Sequence, residues 1–260
     1  MGRRGEGDAG PLLRKKDMRP HTRVIKWTLI LVSSFFALNF LVQIGRKPAE
    51  ALGILGLGKS RSVAETWRVF SRDFQRHATE ITTPTFLAAM AQKESSGNPL
   101  ATPKWRFRWT GSLWRWFAPE STSVGLFQLT DGAYDRAKKF CIQKGQVVRD
   151  GPWHDWRSCW FNWAYLRISA SDSIEMTSAY LHHEVTTSLA GRKTSLTNQR
   201  RLAAVIHLCG PGKARTFIRS GFDLASAGHC GRHSVRRYVE TIERYDRQLR
   251  SGIAATTSSG

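Results

Sequence analysis

Acidic residues are scarce in this chain of 260 residues, which has 20 Asp and Glu against 40 Lys and Arg and a formal net charge of +20. A field of that sign favours polyanionic partners such as nucleic acid, anionic lipid headgroups or an acidic wall polymer. Nine Pro and 22 Gly, which follow no period, exclude a collagen-like chain. Hydrophobic residues make up 41% of the sequence, which is enough for one large folded domain or two small ones.

Several signatures of metal and cofactor sites are also missing. The four cysteines form no C-x-x-C pair, which argues against a zinc ribbon. His183-Glu184 is followed by Thr187 where a zinc metalloprotease needs its second histidine. There is no phosphate-binding glycine loop, no G-x-S-x-G elbow and no alternating strand pattern of any length. The sequence therefore predicts a mainly α fold that uses no metal and no cofactor.

The longest apolar run lies near the N-terminus. Residues 27–44 carry no charge, and a membrane-spanning helix needs about 20 apolar residues. Residues 1–26 form a basic tail, in which Lys and Arg outnumber those just after the run. By the positive-inside rule the tail lies in the cytoplasm and the rest of the chain outside. We expect a single-pass anchor in the inner membrane that carries a periplasmic domain.

A second reading of this N-terminus is a cleaved export signal. Ala49-Glu50-Ala51 has the small-x-small form of a cleavage site, so a secreted protein that begins after Ala51 is the alternative. Arg46 and Lys47 stand just before that site and argue against cleavage. In either case export makes disulfides the natural use of four cysteines. Four cysteines allow three pairings, and the local one joins Cys141 to Cys159 and Cys209 to Cys230.

The rest of the chain divides into three parts. Residues 45–61 are rich in Gly and Lys and are predicted to be a linker, and residues 253–260 a frayed tail. Residues 62–252 are predicted to form one helical domain. Its helices are expected to start at a capping box at Ser62, at Thr83-Pro84 and at Ser234, with two more over Ile174–Ala190 and Asn198–Leu208.

Glu94 is the residue that points to chemistry. It follows Leu87 by seven residues and Met90 by four, so it lies on the apolar face of the helix that begins at Pro84. Desolvation there disfavours the ionised carboxyl, and a general acid must offer a proton at neutral pH. The ordinary alternative is a solvated acid at the end of a helix.

Four segments match the motifs of one enzyme family, in the family's order. They are ESSGNPLA at 94–101, SVGLFQL at 123–129, LAAVIHLCGPG at 202–212 and YVETIERY at 238–245. They resemble E-S-x-x-N-P-x-A, A-x-G-L-M-Q-L, A-A-Y-N-A-G-P-G and Y-V-x-x-I-x-x-Y of the SLT-type lytic transglycosylases, which belong to the goose-lysozyme-like superfamily. The resemblance covers residues from about 84 to 246.

The resemblance implies a lysozyme-like SLT domain with a long cleft for peptidoglycan glycan strands. It implies that Glu94 protonates the β-1,4 bond between MurNAc and GlcNAc and then acts as a base on the MurNAc 6-hydroxyl. The product is 1,6-anhydroMurNAc, and one carboxylate suffices where ordinary glycosidases need two. A lysozyme that hydrolyses the same bond is the close alternative.

The same resemblance assigns the other site residues. Ser95 and Gln128 are expected to hold the sugar, and Gly125 and Leu126 to shape the cleft floor. The remaining substrate-binding candidates are Ser123, His207 and Tyr238. Asp131, the nearest downstream acid, is interpreted as a turn or helix-cap residue rather than a second catalytic carboxylate.

Two departures from the family pattern stand out. The Tyr-Asn-Ala of the third motif is here His207-Leu208-Cys209, and His207 is expected to make activity sensitive to pH. In addition, Glu94 and Gly125 are 31 positions apart, because a Trp-rich insertion lies at 104–120. This insertion is a candidate lid, a hairpin that touches the membrane, a partner surface or a local apolar core.

Two competing functions follow from the same sequence. The His207-Leu208 departure allows a non-catalytic peptidoglycan-binding component of an envelope machine. The net charge of +20 by itself would suit nucleic acid, but the export segment argues against a nucleic-acid partner.

Overall fold

The computed structural model describes residues 20–56, 58–107, 109, 111–112 and 116–257, and within them the chain is mainly helical. The helices are α1 (Pro20–Arg46), α2 (Pro48–Ala51), α3 (Val63–Arg76), α4 (Pro84–Ser95), α5 (Asp131–Ala137), α6 (Ala170–Leu189), α7 (Leu196–Cys209), α8 (Ala214–Arg219) and α9 (Val235–Thr257). The strands are β1 (Trp105–Phe107), β2 (Phe117–Pro119), β3 (Phe140–Gln143), β4 (Gln146–Arg149), β5 (His229–Cys230) and β6 (His233–Ser234). Three 3-10 turns lie at Leu52–Leu55, Trp160–Ala164 and Pro211–Lys213.

The predicted helix starts have the expected local chemistry. Ser62 and Glu65 form a complete capping box at α3, in which each side chain accepts a hydrogen bond from the backbone N–H of the other residue. Pro84 occupies the first position of α4 and Thr83 precedes it, although the Thr83 hydroxyl makes no capping bond. Helices α6 and α7 are longer than predicted because Ser169 and Ser195 cap them several residues earlier.

Helix α4 is the centre of the fold. Its residues from Phe86 to Gln92 are all buried, and it packs between α3 and α9. Glu94 contacts Tyr238 near the start of α9, whereas Phe86 shares a pocket with Asp246 further along α9. The two helices therefore run antiparallel, and the C-terminal end of α4 meets the N-terminal end of α9.

Short strands are the feature that the sequence did not predict. Three antiparallel pairs, β1–β2, β3–β4 and β5–β6, occur among the described residues. Strands of two to four residues are too short to show alternation. The β3–β4 turn uses Lys144 and Gly145 at φ +50° and +76°, which is the left-handed pair typical of a two-residue hairpin.

Helix α1 is longer than the predicted span of 27–44. Within His21–Arg46, an 18-residue window has a mean hydropathy of 1.8 and 11% of its residues are buried, so the helix is long and apolar enough to cross a membrane. Toward its C-terminal end, Phe36 and Phe40 contact Phe107 and Trp105 of the Trp-rich insertion. The described aromatic rings of that insertion thus pack on each other and on α1, whereas Arg108, Trp114 and Arg115 lie outside the described residues.

The predicted linker and tail differ from the structure. Residues 48–55 are helical and docked, because Glu50 is buried with its carboxylate 3.7 Å from both Lys47 Nζ and Arg167 Nη2. The tail predicted to fray at 253 instead continues α9 to Thr257, since the two alanines after Ile253 favour helix. Residues 1–19 and 258–260 lie outside the described part of the chain.

Both predicted disulfide pairs are present. Cys141 of β3 is bonded to Cys159 and Cys209 of α7 to Cys230 of β5, with Cα–Cα separations of 5.8 and 5.5 Å. The second bond ties the end of α7 to the strand that leads into α9.

Candidate active site

Glu94 lies in the last turn of α4, at a junction of three chain segments. The Tyr238 hydroxyl of α9 donates a hydrogen bond to Glu94 Oε1. His207 of α7 places its Nε2 atom 3.7 Å from the same oxygen. The Glu94 side chain is 17% exposed, and its Oε2 atom makes no hydrogen bond to any residue that the structure describes. One carboxyl oxygen is therefore held by the protein, and the other makes no hydrogen bond to the described residues.

Tyr238 is built to remain a hydrogen-bond donor. Its ring is buried, and burial raises the pKa of the phenol well above its usual value, with the Glu94 charge and hydrogen bond acting in the same direction. Lys93 Nζ lies 5.2 Å from the centre of the ring, within reach of a cation–π interaction. The raised pKa favours the protonated phenol, which is the form that donates to Glu94.

His207 connects α7 to the loop of the second motif. Its Nε2 atom lies 3.1 Å from the carbonyl oxygen of Phe127. A carbonyl only accepts, so this contact assigns the proton to Nε2 and the donor role to the imidazole. The same N–H faces Glu94 Oε1, which gives that oxygen a second polar neighbour.

The turn after Glu94 accounts for the glycine and the asparagine of the first motif. Ser96 and Gly97 have φ of +53° and +68°, and a Cβ at Gly97 would lie 2.0 Å from Thr66 Oγ1. Asn98 Oδ1 accepts from the N–H of Leu100 and closes the turn. The chain reverses in this way directly after the catalytic candidate, which keeps Glu94 at the edge of the folded core.

Ser95 acts within the protein in this structure. Its buried hydroxyl lies 2.8 Å from the carbonyl oxygen of Leu126, and it accepts from the N–H of Asn98 at 3.2 Å. The sequence predicted that Ser95 holds the sugar. That role stays a prediction, and in this structure the hydroxyl joins the second loop to the end of α4.

The second loop, 124–129, folds tightly beside Glu94. Gly125 has φ +85°, and a Cβ there would lie 2.0 Å from the carbonyl oxygen of Arg167, so no other residue fits. The Gly125 N–H and the Gln128 side-chain amide both donate to the carbonyl oxygen of Ala101, at 2.8 and 3.1 Å. The first and second motifs are thus joined through Ala101 as well as through Ser95. Leu126 is fully buried beneath them.

Two of the sequence candidates lie apart from these contacts. Ser123 donates its N–H to Ser121 Oγ, and within the described part of the chain no contact joins it to Glu94, His207 or Tyr238. Asp131 begins α5 after the Thr130 cap and lies 2.9 Å from Arg167 Nη1. Its carboxylate is therefore already paired with a cation, which agrees with the interpretation as a helix-start residue.

Three groups that contact the candidate site residues were not predicted from the sequence. They are the carbonyl oxygen of Phe127, the cation of Lys93 above Tyr238, and Arg167, whose carbonyl stands against Gly125. Arg167 also donates through Nη1 to the carbonyl oxygens of Thr122 and Leu129. No motif includes Arg167, so only its position in the fold reveals that it supports the loop.

The described residues contain no group of three or more His, Cys, Asp or Glu placed to hold a metal ion. No family model matches this chain, and no curated protein matches it. The motifs and the geometry around Glu94 are therefore the features that indicate a function.

Proposed function

We propose that this chain is a peptidoglycan lytic transglycosylase of lysozyme-like fold, in which Glu94 is the single acid and base. The observation that carries the proposal is the arrangement at Glu94, whose Oε1 is held by Tyr238 and faced by His207 while Oε2 is free of hydrogen bonds to the described residues. Three of the four family-like segments supply these side chains, and the fourth supplies the loop that His207 contacts.

In the first step Glu94 acts as an acid. A proton on Oε2 passes to the glycosidic oxygen between MurNAc and GlcNAc as the bond from that oxygen to C1 breaks, and GlcNAc leaves with a free 4-hydroxyl. The N-acetyl group of MurNAc supports the positive charge at C1, in the role that a second carboxylate has in other glycosidases. Tyr238 stabilises the carboxylate that forms, because it donates to Oε1.

In the second step the same carboxylate acts as a base. It takes the proton of the MurNAc 6-hydroxyl while that oxygen bonds to C1, which closes the 1,6-anhydro ring. The proton that Glu94 gave up is restored, and no water is consumed. Asp131, the acid nearest in sequence to the second loop, is paired with Arg167 instead of standing at Glu94, which supports a mechanism with one carboxylate.

We also propose that α1 anchors the chain in the inner membrane with the domain in the periplasm. The basic residues before the apolar run favour this orientation. The Ala49-Glu50-Ala51 segment is helical, and the Glu50 carboxylate is buried beside Arg167. This packing joins the segment after α1 to the folded domain, which supports an uncleaved anchor.

The test of the activity is digestion of purified peptidoglycan by the full chain in detergent, with the released muropeptides analysed by mass. The variants are Glu94→Gln and, as a matched control, Glu240→Gln, which alters an exposed carboxylate on α9 that pairs with Arg236. We expect anhydromuropeptides from wild type and Glu240→Gln and none from Glu94→Gln. Reducing-end products would indicate a lysozyme, and binding without release would indicate a peptidoglycan-binding component of an envelope machine.

A further inference from the structure

Large apolar side chains project into solvent along residues 153–166. The exposed fractions are 80% for Trp153, 68% for Trp156, 43% for Trp160, 79% for Trp163 and 55% for Leu166. A single exposed apolar residue is ordinary, but a series of this size marks a surface that contacts a partner or another phase. Among the residues that the structure describes, no contact joins any of these side chains to the Glu94 site.

The backbone beneath these side chains is held firmly, so their exposure is a fixed property of the fold. Asn162 is buried, and its side-chain amide donates to the carbonyl oxygens of Lys138 and Phe140, both at 2.9 Å. Cys159 is bonded to Cys141, and the Tyr165 hydroxyl donates to Glu175 Oε2 at 2.8 Å. The tryptophans between these fixed residues therefore project outward from a rigid segment.

The 3-10 turn Trp160–Ala164 determines the direction in which its tryptophan side chains project. In a 3-10 helix, side chains three residues apart project to the same side, so Trp160 and Trp163 share a face. Asn162 points inward from the same turn, which fixes that face toward solvent.

The chain just after this turn is joined to the residues that follow α1. Leu166 and its two successors line a pocket together with Pro48, Ala49 and Leu52. Helix α1 ends at Arg46, two residues before Pro48. Because three residues of chain span at most about 11 Å, Trp163 lies within that distance of Leu166, which lines this pocket.

We propose that Trp160, Trp163 and Leu166 form a membrane-contacting surface that enters the headgroup region of the leaflet from which α1 emerges. The proposal builds on the membrane anchor proposed above. Tryptophan favours this region because its ring is apolar and its N–H is polar. The position of Leu166 beside the residues that follow α1 favours the bilayer over a glycan strand as the occupant.

Charge near this surface fits an anionic leaflet. The Arg157 guanidinium lies 5.2 Å from the Trp156 ring centre, and the whole chain carries a net charge of +20. Basic residues close to a bilayer are attracted to anionic headgroups. Contact at this surface and at α1 would hold the domain at a fixed angle to the membrane, which one helix by itself does not do.

The test uses the full chain in liposomes of phosphatidylcholine and phosphatidylglycerol with bromine on the upper acyl carbons. Emission from one tryptophan is obtained by subtracting the emission of its Phe variant from that of wild type, for Trp163→Phe, Trp27→Phe and Trp67→Phe. Trp27 reports insertion of α1, and Trp67, which packs against the core, is the unquenched control. We expect bromine to remove most of the Trp163 and Trp27 emission and to leave that of Trp67.

The outcomes of this experiment distinguish failure of the membrane-contacting surface from failure of the membrane anchor. Quenching of Trp27 without quenching of Trp163 overturns the surface and leaves the anchor standing. Absence of quenching at both positions overturns the anchor as well, whereas the muropeptide assay tests the enzyme independently. Shielding of Trp163 from acrylamide by soluble N-acetylglucosamine oligomers, with no effect of brominated lipid, also overturns the proposal and assigns the surface to glycan.

Discussion

Tyr238 is the single residue whose replacement most directly tests how Glu94 is held. Tyr238→Phe removes the hydrogen bond to Oε1 and leaves the ring packed. A hydrogen bond to a charged group contributes about 1.5–3 kcal/mol, so we expect kcat to fall about ten- to hundredfold. Steady-state release of muropeptides measures this.

A matched variant on the same helix is Tyr245→Phe. Tyr245 is partly buried on α9, and its ring contacts Arg244 instead of the site. Its replacement should leave kcat within the error of wild type. Equal rates for Tyr238→Phe and Tyr245→Phe would show that the phenol does not support Glu94.

His77 gives a pH dependence of stability that is separate from catalysis. Burial lowers the pKa of its ring below the ordinary value, although the Glu175 carboxylate 3.5 Å away acts in the opposite direction. The folded chain then binds this proton more weakly than the unfolded chain does. The free energy of unfolding should therefore be level above about pH 6.5, the unfolded value for histidine, and should fall as the pH drops below it.

Urea unfolding at pH 7 and pH 5 measures this for wild type and His77→Gln. The variant loses the titrating ring, so its stability should change less between the two values of pH. A larger acid-induced loss in the variant would contradict the lowered pKa of His77.

Sequence periodicity was able to predict that Glu94 lies on a buried face, because that depends on one helix. The Tyr238 contact depends on how α4 and α9 pack, and the pairing of His207 with Phe127 depends on the loop conformation. The hydrogen bonds of Ser95 also depend on tertiary packing. The motif selected the residue, but the structure shows its hydroxyl directed at Leu126.

At the scale of elements, Gly125 determines whether the second loop closes. Gly125→Ala places a Cβ 2.0 Å from the Arg167 carbonyl oxygen at φ +85°. We expect a loss of more than about 2 kcal/mol in the free energy of unfolding, since both a clash and a strained backbone result. Gly132→Ala is the control, because its Cβ would have only the Arg136 side chain as a neighbour, at 3.7 Å. Equal melting temperatures for the two variants would show that the loop can move away from Arg167.

Removal of one disulfide should affect both stability and activity, and removal of the other should affect stability alone. Each closes a loop of about 20 residues and should contribute about 3 kcal/mol to stability. Cys209 follows His207 by two residues, and Cys230 lies eight residues before Tyr238. Replacing both by Ala should therefore lower activity below the level explained by unfolding. The pair Cys141→Ala and Cys159→Ala should reduce thermal stability alone, and a greater loss of activity from this pair, measured well below the melting temperature, would contradict the account.

The long helices were predictable because caps and apolar spacing are local signals, as at Ser62 and Pro84. The β-hairpins were not, since their strands are two to four residues long. The segment 48–55 shows a different cause. Its composition resembles a linker, but the buried Glu50 meets Arg167, which is distant in sequence, and this tertiary contact orders the segment.

At the scale of the whole molecule, the described chain combines an apolar N-terminal helix with a helical domain whose candidate site lies where α4, α7 and α9 meet. Arg167 joins the two parts, because its backbone supports Gly125 and its guanidinium faces Glu50 of α2. The candidate site is thus linked through Arg167 to the segment that follows α1. An enzyme anchored in this way would act on wall polymer close to the membrane.

We propose that Glu94 cleaves the glycan without consuming water, and digestion in water labelled with oxygen-18 is the sharpest test of this step. The measurement is the mass of muropeptides released from purified peptidoglycan by the full chain. We predict 1,6-anhydroMurNAc ends that contain no label, because the MurNAc 6-hydroxyl is the nucleophile. Labelled reducing ends would contradict the claim, since they would show that water attacks C1 and that the chain is a hydrolase.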